Sequence, residues 1–270
     1  MKDFFLTQAL YILGLKKTED KLRIYNGYIN YTLFDWILKN KISPALGYKI
    51  LKKLKIYSAR EMRNLFRETV IANKDLFDHP NTYFTSFGSP DIIFKSGNRL
   101  ISDFRNSNRE YENRIIPIWK IPSLPKDSNI IFFDDLVGTG RQSTDYIKEI
   151  SALLNSSHKP FLFCICGTSE GLNLIATTTS FKVFASDTLQ KKHDYFTHGD
   201  CHYFNIAEKN EINIKTDILK SRTANYNLGL LIAFEHSAPN NTIPLIWKDG
   251  FNYKQNLKER KWIALLPREY

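Results

Sequence analysis

Asp134, Asp135, Thr139 and Gly140 fall within one short stretch, Ile130-Ile-Phe-Phe-Asp-Asp-Leu-Val-Gly-Thr-Gly-Arg-Gln-Ser143. Paired carboxylates accept hydrogen bonds from sugar hydroxyls, directly or through a divalent cation. A loop of small residues that opens a helix offers backbone N–H groups to a phosphate. The stretch therefore suits a sugar phosphate: Asp134 and Asp135 on the sugar side, and Val137, Gly138, Thr139, Gly140, Arg141, Gln142 and Ser143 on the phosphate side.

Such a site needs a strand to end at the carboxylates and a helix to start after the glycines. Ile130–Phe133 reads as a buried strand, and Thr144–Leu154 as a helix with Ile147, Ile150 and Leu154 on one face. Downstream, Pro160–Cys166 and Phe181–Ala185 read as strands, with a turn at 167–171 and a helix expected over Leu172–Thr178. This alternation implies a right-handed parallel α/β sheet, in which ligands bind at the carboxyl ends of the strands. An acidic pair after an apolar strand also marks the metal strand of P-loop nucleotidases. That reading needs a glycine directly before a Lys-Ser pair, and the nearest approach, Gly88–Ser96, has Phe94 there. A solvated acidic turn is the plainer alternative.

From residue 81 the chain reads as short β-like runs. Phe87–Asp91 is a turn, Ile92–Phe94 leads into Lys95-Ser-Gly-Asn98, and Leu100–Phe104 is a further apolar run. Ile115–Pro125, broken by prolines, reads as an extended arm or edge strand. The first 80 residues read as helical. Phe4–Leu15 and Lys21–Lys39 are apolar-rich, and Ser43-Pro44 is an N-cap followed by proline, opening a helix with Leu46, Ile50 and Leu54 on one face. Ser58-Ala-Arg-Glu61 is a capping box before Met62, Leu65, Phe66 and Ile71, all placed for burial. The two helices, the first carrying Lys49, Lys52, Lys53 and Lys55, suit either a helix-turn-helix or an ordinary helical cap with a solvated lysine face.

The acid pair and Thr139-Gly140 together resemble the phosphoribosyl-pyrophosphate (PRPP) loop of type I phosphoribosyltransferases, with Gln142 where that pattern usually has a hydroxyl and Ser143 one position later. A more specific resemblance lies in Asn227–Trp247, which contains Glu235-His-Ser-Ala-Pro-Asn-Asn-Thr242, and in Trp262-Ile-Ala-Leu-Leu-Pro-Arg268. These resemble the ending of the PRTase-CE group, phosphoribosyltransferase-like proteins of bacterial conflict systems, some beside retron reverse transcriptases. In motif order the resemblance runs over about residues 85–268.

It implies a Rossmann-like type I phosphoribosyltransferase domain over 81–270, helices on both faces of a parallel sheet, preceded by a helical, basic region over 1–80. It also implies Mg²⁺ at Asp134 and Asp135, a pyrophosphate loop at Lys95, Ser96 and Gly97, and a pocket lined by Glu235, His236, Asn240, Asn241 and Arg268, with Glu235 or His236 as the base. Asn240 and Asn241 equally suit shaping a turn, Arg268 a carbonyl cap, and Lys95–Gly97 an exposed turn.

Three functions follow from this resemblance. The first is a transferase acting at the anomeric carbon of ribose as an antiviral effector, with a reverse transcriptase and its RNA–DNA product as partners. The second is a non-catalytic PRPP or nucleotide sensor whose basic helices, around residues 40–70, contact nucleic acid or a protein. The third is a structural partner with a vestigial pocket.

Composition is consistent with these. The chain has 270 residues, 43% hydrophobic and 14% aromatic, enough for a sizeable core and outside the disordered range. Its net charge is +10, and residues 1–80 hold 15 Lys+Arg against 8 Asp+Glu, which supplies +7 of it. Polyanions or acidic protein surfaces suit such a region. No apolar run approaches the roughly 18–20 residues of a membrane span. No signal peptide is evident, and three cysteines are too few for a disulfide framework, so a cytoplasmic protein is expected. Cys164 and Cys166, two apart on a strand, are expected to be buried on one face. His198-Gly-Asp-Cys-His202 has ligand types but lacks the second cluster a zinc site needs.

Overall fold

The stretch Asn129–Val137 forms a nine-residue strand, β3. It is apolar on both faces because helices cover both, the pattern of a parallel sheet. Ile130 and Phe132 enter one cluster with Ile147, Ile150, Leu162 and Ile175. Phe133 points to the other face, where it meets the rings of Phe66 and Phe104 at centroid distances of 5.4 and 4.7 Å. The structure is a computed structural model that describes residues 5, 33–88, 96–190, 203–216, 228–235, 237–247, 250–251 and 260–266.

In chain order the elements are α1 (Leu33–Lys39), α2 (Pro44–Lys53), β1 (Lys55–Tyr57), α3 (Ala59–Ala72), α4 (Lys74–Asp78), β2 (Thr82–Ser86) and α5 (Ser96–Ser107). Two 3-10 turns follow, Arg109–Arg114 and Ile118–Ser123, and then β3. After β3 come α6 (Arg141–Ser151), β4 (Lys159–Thr168), α7 (Ser169–Thr178), β5 (Lys182–Leu189), α8 (Ile206–Thr216) and β6 (Ile232–Phe234). The last described elements are α9 (Pro244–Trp247), β7 (Gly250–Phe251) and β8 (Arg260–Trp262).

These elements divide into two compact units, residues 60–191 and residues 1–59 with 192–270. The division expected after residue 80 thus runs through the first of these, and the C-terminal segment groups with the N-terminal one.

The 60–191 unit is a parallel α/β sheet in the order β2-β3-β4-β5. Ile115 adds a parallel bridge to Phe84 on the edge of β2 away from β3, and the Ile116 N–H donates to the Phe84 carbonyl. The chain therefore leaves β2 in one direction, with Phe104 of α5 packed on Phe84 and Phe133. It returns past β2 along the opposite face, where Ile118 and Ile121 join the cluster of Ile130 and Phe132. The direction of winding reverses between β2 and β3. Reversal of this kind opens a crevice at the carboxyl ends of the two strands, the place where open α/β sheets bind ligands.

Several local expectations are corrected. Leu100–Phe104 is helical, part of α5, because Leu100 and Phe104 are one turn apart and both are fully buried. Ile115–Pro125 is extended only at its start and then turns at Ile118–Ser123. Ile71 is 64% exposed; Met62, Phe66 and Val70, spaced four apart, take the buried face of α3. Cys164 and Cys166 are both buried, as alternation requires.

In the other unit, proline opens α2 as expected, and Leu46, Ile50 and Leu54 are buried. Ser43 does not cap with its side chain; its N–H and hydroxyl both donate to the Glu211 carboxylate. Between α2 and α3 lies strand β1, parallel to β6, in place of a turn. The two helices are therefore not a helix-turn-helix. Asn40 is buried and donates to the Trp36 and Ile263 carbonyls at 2.8 and 3.0 Å, while its Oδ1 accepts from the Ile263 N–H at 2.7 Å.

Candidate functional site

Asp134 and Asp135 stand near the carboxyl end of β3, both half-buried. The Asp135 N–H donates to Asp134 Oδ1 at 3.0 Å, which turns that carboxylate against its own backbone. Asp134 is in register with Cys164 on β4. Burial, with the neighbouring Cys166 thiol and the Asp134 carboxylate, pushes the Cys164 thiol well above its ordinary value of 9.0. A neutral thiol therefore lies beside Asp134 on the neighbouring strand and adds no charge to it.

The loop that follows is tight. Val137, Gly138 and Gly140 are buried and Thr139 is half-buried. Gly140 is the N-cap of α6 with φ +77°, a left-handed backbone that favours glycine. The Gly140 carbonyl accepts from both the N–H and the hydroxyl of Thr144, each at 2.8 Å. Thr139 Oγ1 accepts from the Arg141 N–H at 3.4 Å. Arg141 and Gln142 are exposed, and Gln142 Nε2 donates to the Tyr146 hydroxyl at 3.0 Å. Tyr146 in turn sets its ring edge-on to Phe87 at the end of β2, centroids 6.0 Å apart. Ser143 is buried on the stripe it shares with Ile147 and Ile150.

The α5 side of the crevice is held just as closely. A methyl group on Gly97 would sit 2.8 Å from the Phe133 carbonyl oxygen and 2.9 Å from that of Phe87. Glycine lets the first turn of α5 rest directly on the end of β2 and on Phe133 of β3. Gly97 is thus brought against the peptide that joins Phe133 to Asp134. Lys95 lies outside the described residues, as do His236 and Arg268.

Glu235, Asn240 and Asn241 belong to the other unit. The Glu235 carboxylate accepts from the Ala59 N–H at 2.5 Å, and its own N–H donates to the Tyr57 carbonyl. Asn240 and Asn241 shape a turn in which the Thr242 N–H donates to the Pro239 carbonyl, and the Asn241 carbonyl accepts from Leu230. This unit also carries a basic face on α2. Lys49 pairs with Glu208 at 2.8 Å, while Lys52 and Lys53 are exposed, 5.8 and 5.2 Å from the rings of Tyr48 and Tyr203.

Two residues that sequence reading took for part of a simple turn are built into the loop. The Thr168 hydroxyl donates to the Gly138 carbonyl at 2.6 Å and accepts from the Gly171 N–H at 3.0 Å. A Cβ on Gly140 would lie 2.6 Å from the Gly171 carbonyl oxygen. The signal available was Thr168 three residues before Gly171, the spacing of a helix N-cap.

The donor set suits Mg²⁺ in one way only. Among the described residues no group of three His, Cys, Asp or Glu side chains could hold a metal ion. Two adjacent carboxylates fit an ion that keeps most of its waters and shares a ligand's phosphates.

Among solved structures, orotate phosphoribosyltransferase from Aeropyrum pernix is similar at 14% identity, covering 47% of this chain and 68% of that one, with TM-score 0.31. The AQ2163 protein from Aquifex aeolicus is similar at 12% identity, covering 54% and 85%, with TM-score 0.35. Purine phosphoribosyltransferase from Pyrococcus horikoshii is similar at 12% identity, covering 50% and 86%, with TM-score 0.29. No curated protein matches. The PRTase-CE family model matches residues 36–268, most of the chain, and the chain belongs to the PRTase-CE family.

Proposed function

We propose that this chain binds PRPP or a nucleotide with Mg²⁺ and acts at the anomeric carbon of its ribose. The observation that carries the reading is the meeting, at one strand end, of the Asp134–Asp135 pair with the Gly138–Gly140 loop and the first turn of α5. In this reading the carboxylates hold the ribose hydroxyls, the loop amides and Thr139 take the 5′-phosphate, and Lys95, Ser96 and Gly97 receive the pyrophosphate. Asp134 and Asp135 would hold Mg²⁺, which when bound would neutralise phosphate charge. The protein's own work is to orient the reactants and stabilise charge as the C1′–oxygen bond opens.

In this reading the setting is bacterial defence, with the chain as an effector released by a sensor, as the resemblance to proteins of conflict systems implies. In a retron setting the partners are a reverse transcriptase and its RNA–DNA product, contacted by the lysines of α2. Gln142 favours a second reading, since its side chain bonds Tyr146 where the PRPP pattern usually has a hydroxyl. That reading is a sensor that binds the ligand without turnover.

Calorimetric titration with PRPP and Mg²⁺ tests the proposal. Asp134→Asn/Asp135→Asn should weaken binding at least about a hundredfold, since hydrogen bonds to charged groups contribute about 1.5–3 kcal/mol each. Binding that survives the double substitution sinks the site. Binding by the wild type with no pyrophosphate release over a panel of nucleophiles selects the sensor. A double variant that still protects cells fully against phage removes the effector role.

A further inference from the structure

We propose that Thr168 and Gly171, at the junction of β4 and α7, are positioning residues that set the shape of the phosphate loop. The functional consequence rests on the ribose-phosphate reading of that loop; the mechanical claim does not.

Thr168 is 6% exposed, and its hydroxyl is used twice, once as donor to the Gly138 carbonyl and once as N-cap acceptor for the Gly171 N–H. Removing it leaves a buried acceptor in the loop and a donor at the helix end without partners. Gly171 acts through space. A methyl group there would collide with the Gly138 carbonyl oxygen and lie 3.0 Å from the Gly140 nitrogen. Both are backbone atoms, so relief requires moving the loop itself. The reverse also holds, because a methyl group on Gly140 would meet the Gly171 carbonyl, α-carbon and carbonyl carbon at 2.6–3.2 Å.

The loop and the first turn of α7 are therefore interlocked backbone against backbone. The positive φ of Gly140 lies inside that interlock. Neither β3 nor α6 alone dictates the loop's conformation. Ser169, the next residue, donates to the Leu189 carbonyl at 3.4 Å, which ties the same turn to the end of β5. Ligand occupancy at Gly138–Gly140 must then be felt at the β4–α7 junction, and disturbance there must be felt at the loop.

The test compares Thr168→Val, which keeps shape and loses the hydroxyl, with Thr168→Ser, which keeps the hydroxyl, and with Gly171→Ala. Amide hydrogen exchange of the unliganded protein reads the mechanical claim. Thr168→Val and Gly171→Ala should speed exchange over residues 137–144 about tenfold while the body of β3 stays protected, and Thr168→Ser should match the wild type. PRPP titration reads the consequence: about tenfold weaker binding for Thr168→Val and Gly171→Ala, restored in Thr168→Ser. Unchanged exchange over 137–144 in both loss variants overturns the inference. So does faster exchange spread evenly over the whole sheet, which is plain destabilisation. A wild type that binds no ribose phosphate overturns the proposed function instead, and the exchange comparison still decides the interlock.

Discussion

At the scale of single residues, the site depends on backbone shape as much as on charge. Gly140 is left-handed and meets the Gly171 carbonyl, so Gly140→Ala carries both strain and collision. It should destabilise the protein by roughly 1–3 kcal/mol and abolish PRPP binding, as read by thermal unfolding and titration. Cys164 has a pH signature. Burial, Cys166 and Asp134 raise its folded-state pKa above the ordinary 9.0. Above about pH 9 the unfolded chain loses that proton while the folded protein keeps it, so stability present below pH 9 declines as pH rises towards the folded value. Urea midpoints at pH 8 and pH 10 should show the loss, and Cys164→Ala should reduce it. Asp134, Asp135, Thr139 and Gly140 could be read as a candidate site because they fall within one short stretch of chain. Thr168 could not, because its partner Gly138 lies 30 residues away and only folding brings them together.

At the scale of elements, periodicity identified β3, α6, β4 and β5 and missed the start of α7 and the whole of α5. The run Leu100–Phe104 looks β-like in isolation. Its helical character comes from the Leu100–Phe104 pair burying against the sheet, a tertiary choice that overrides a short ambiguous pattern. β1 was missed for the same reason: three residues carry little pattern, and they become a strand by pairing with β6, 177 residues away in register. The exposed lysines of α2 give this scale its prediction. Lys52→Glu/Lys53→Glu should weaken binding to a single-stranded oligonucleotide by more than about tenfold at low salt, with the difference shrinking as salt rises. Equal binding by fluorescence anisotropy assigns that face to solvent alone.

At the scale of the whole molecule, the described residues include an apolar core around Trp36, Ile50 and Leu265 in one unit, and in the other a sheet packed on one face by Phe132, Ile147 and Leu162 and on the other by Phe66, Phe104 and Phe133. Trp36→Ala and Phe133→Ala should each cost about 3–5 kcal/mol, and hydrogen exchange should rise first in the altered unit. A rise shared equally by both units would mean that they unfold as one. No helix of the described residues is long and apolar enough to cross a membrane. By itself the sequence determined the parallel α/β class, the strand that carries the acid pair and the glycine loop after it. Those features are local, written in consecutive residue types and in periods of two and 3.6. The tertiary structure alone decided that α5 rests on the end of β2 and on Phe133 of β3, that α7 interlocks with the loop, and that Phe204, Leu231, Ile246 and Leu265 share a core with α1 and α2. Each of these is a contact between distant segments, selected by burial and close backbone approach, for which no short run of sequence carries a pattern.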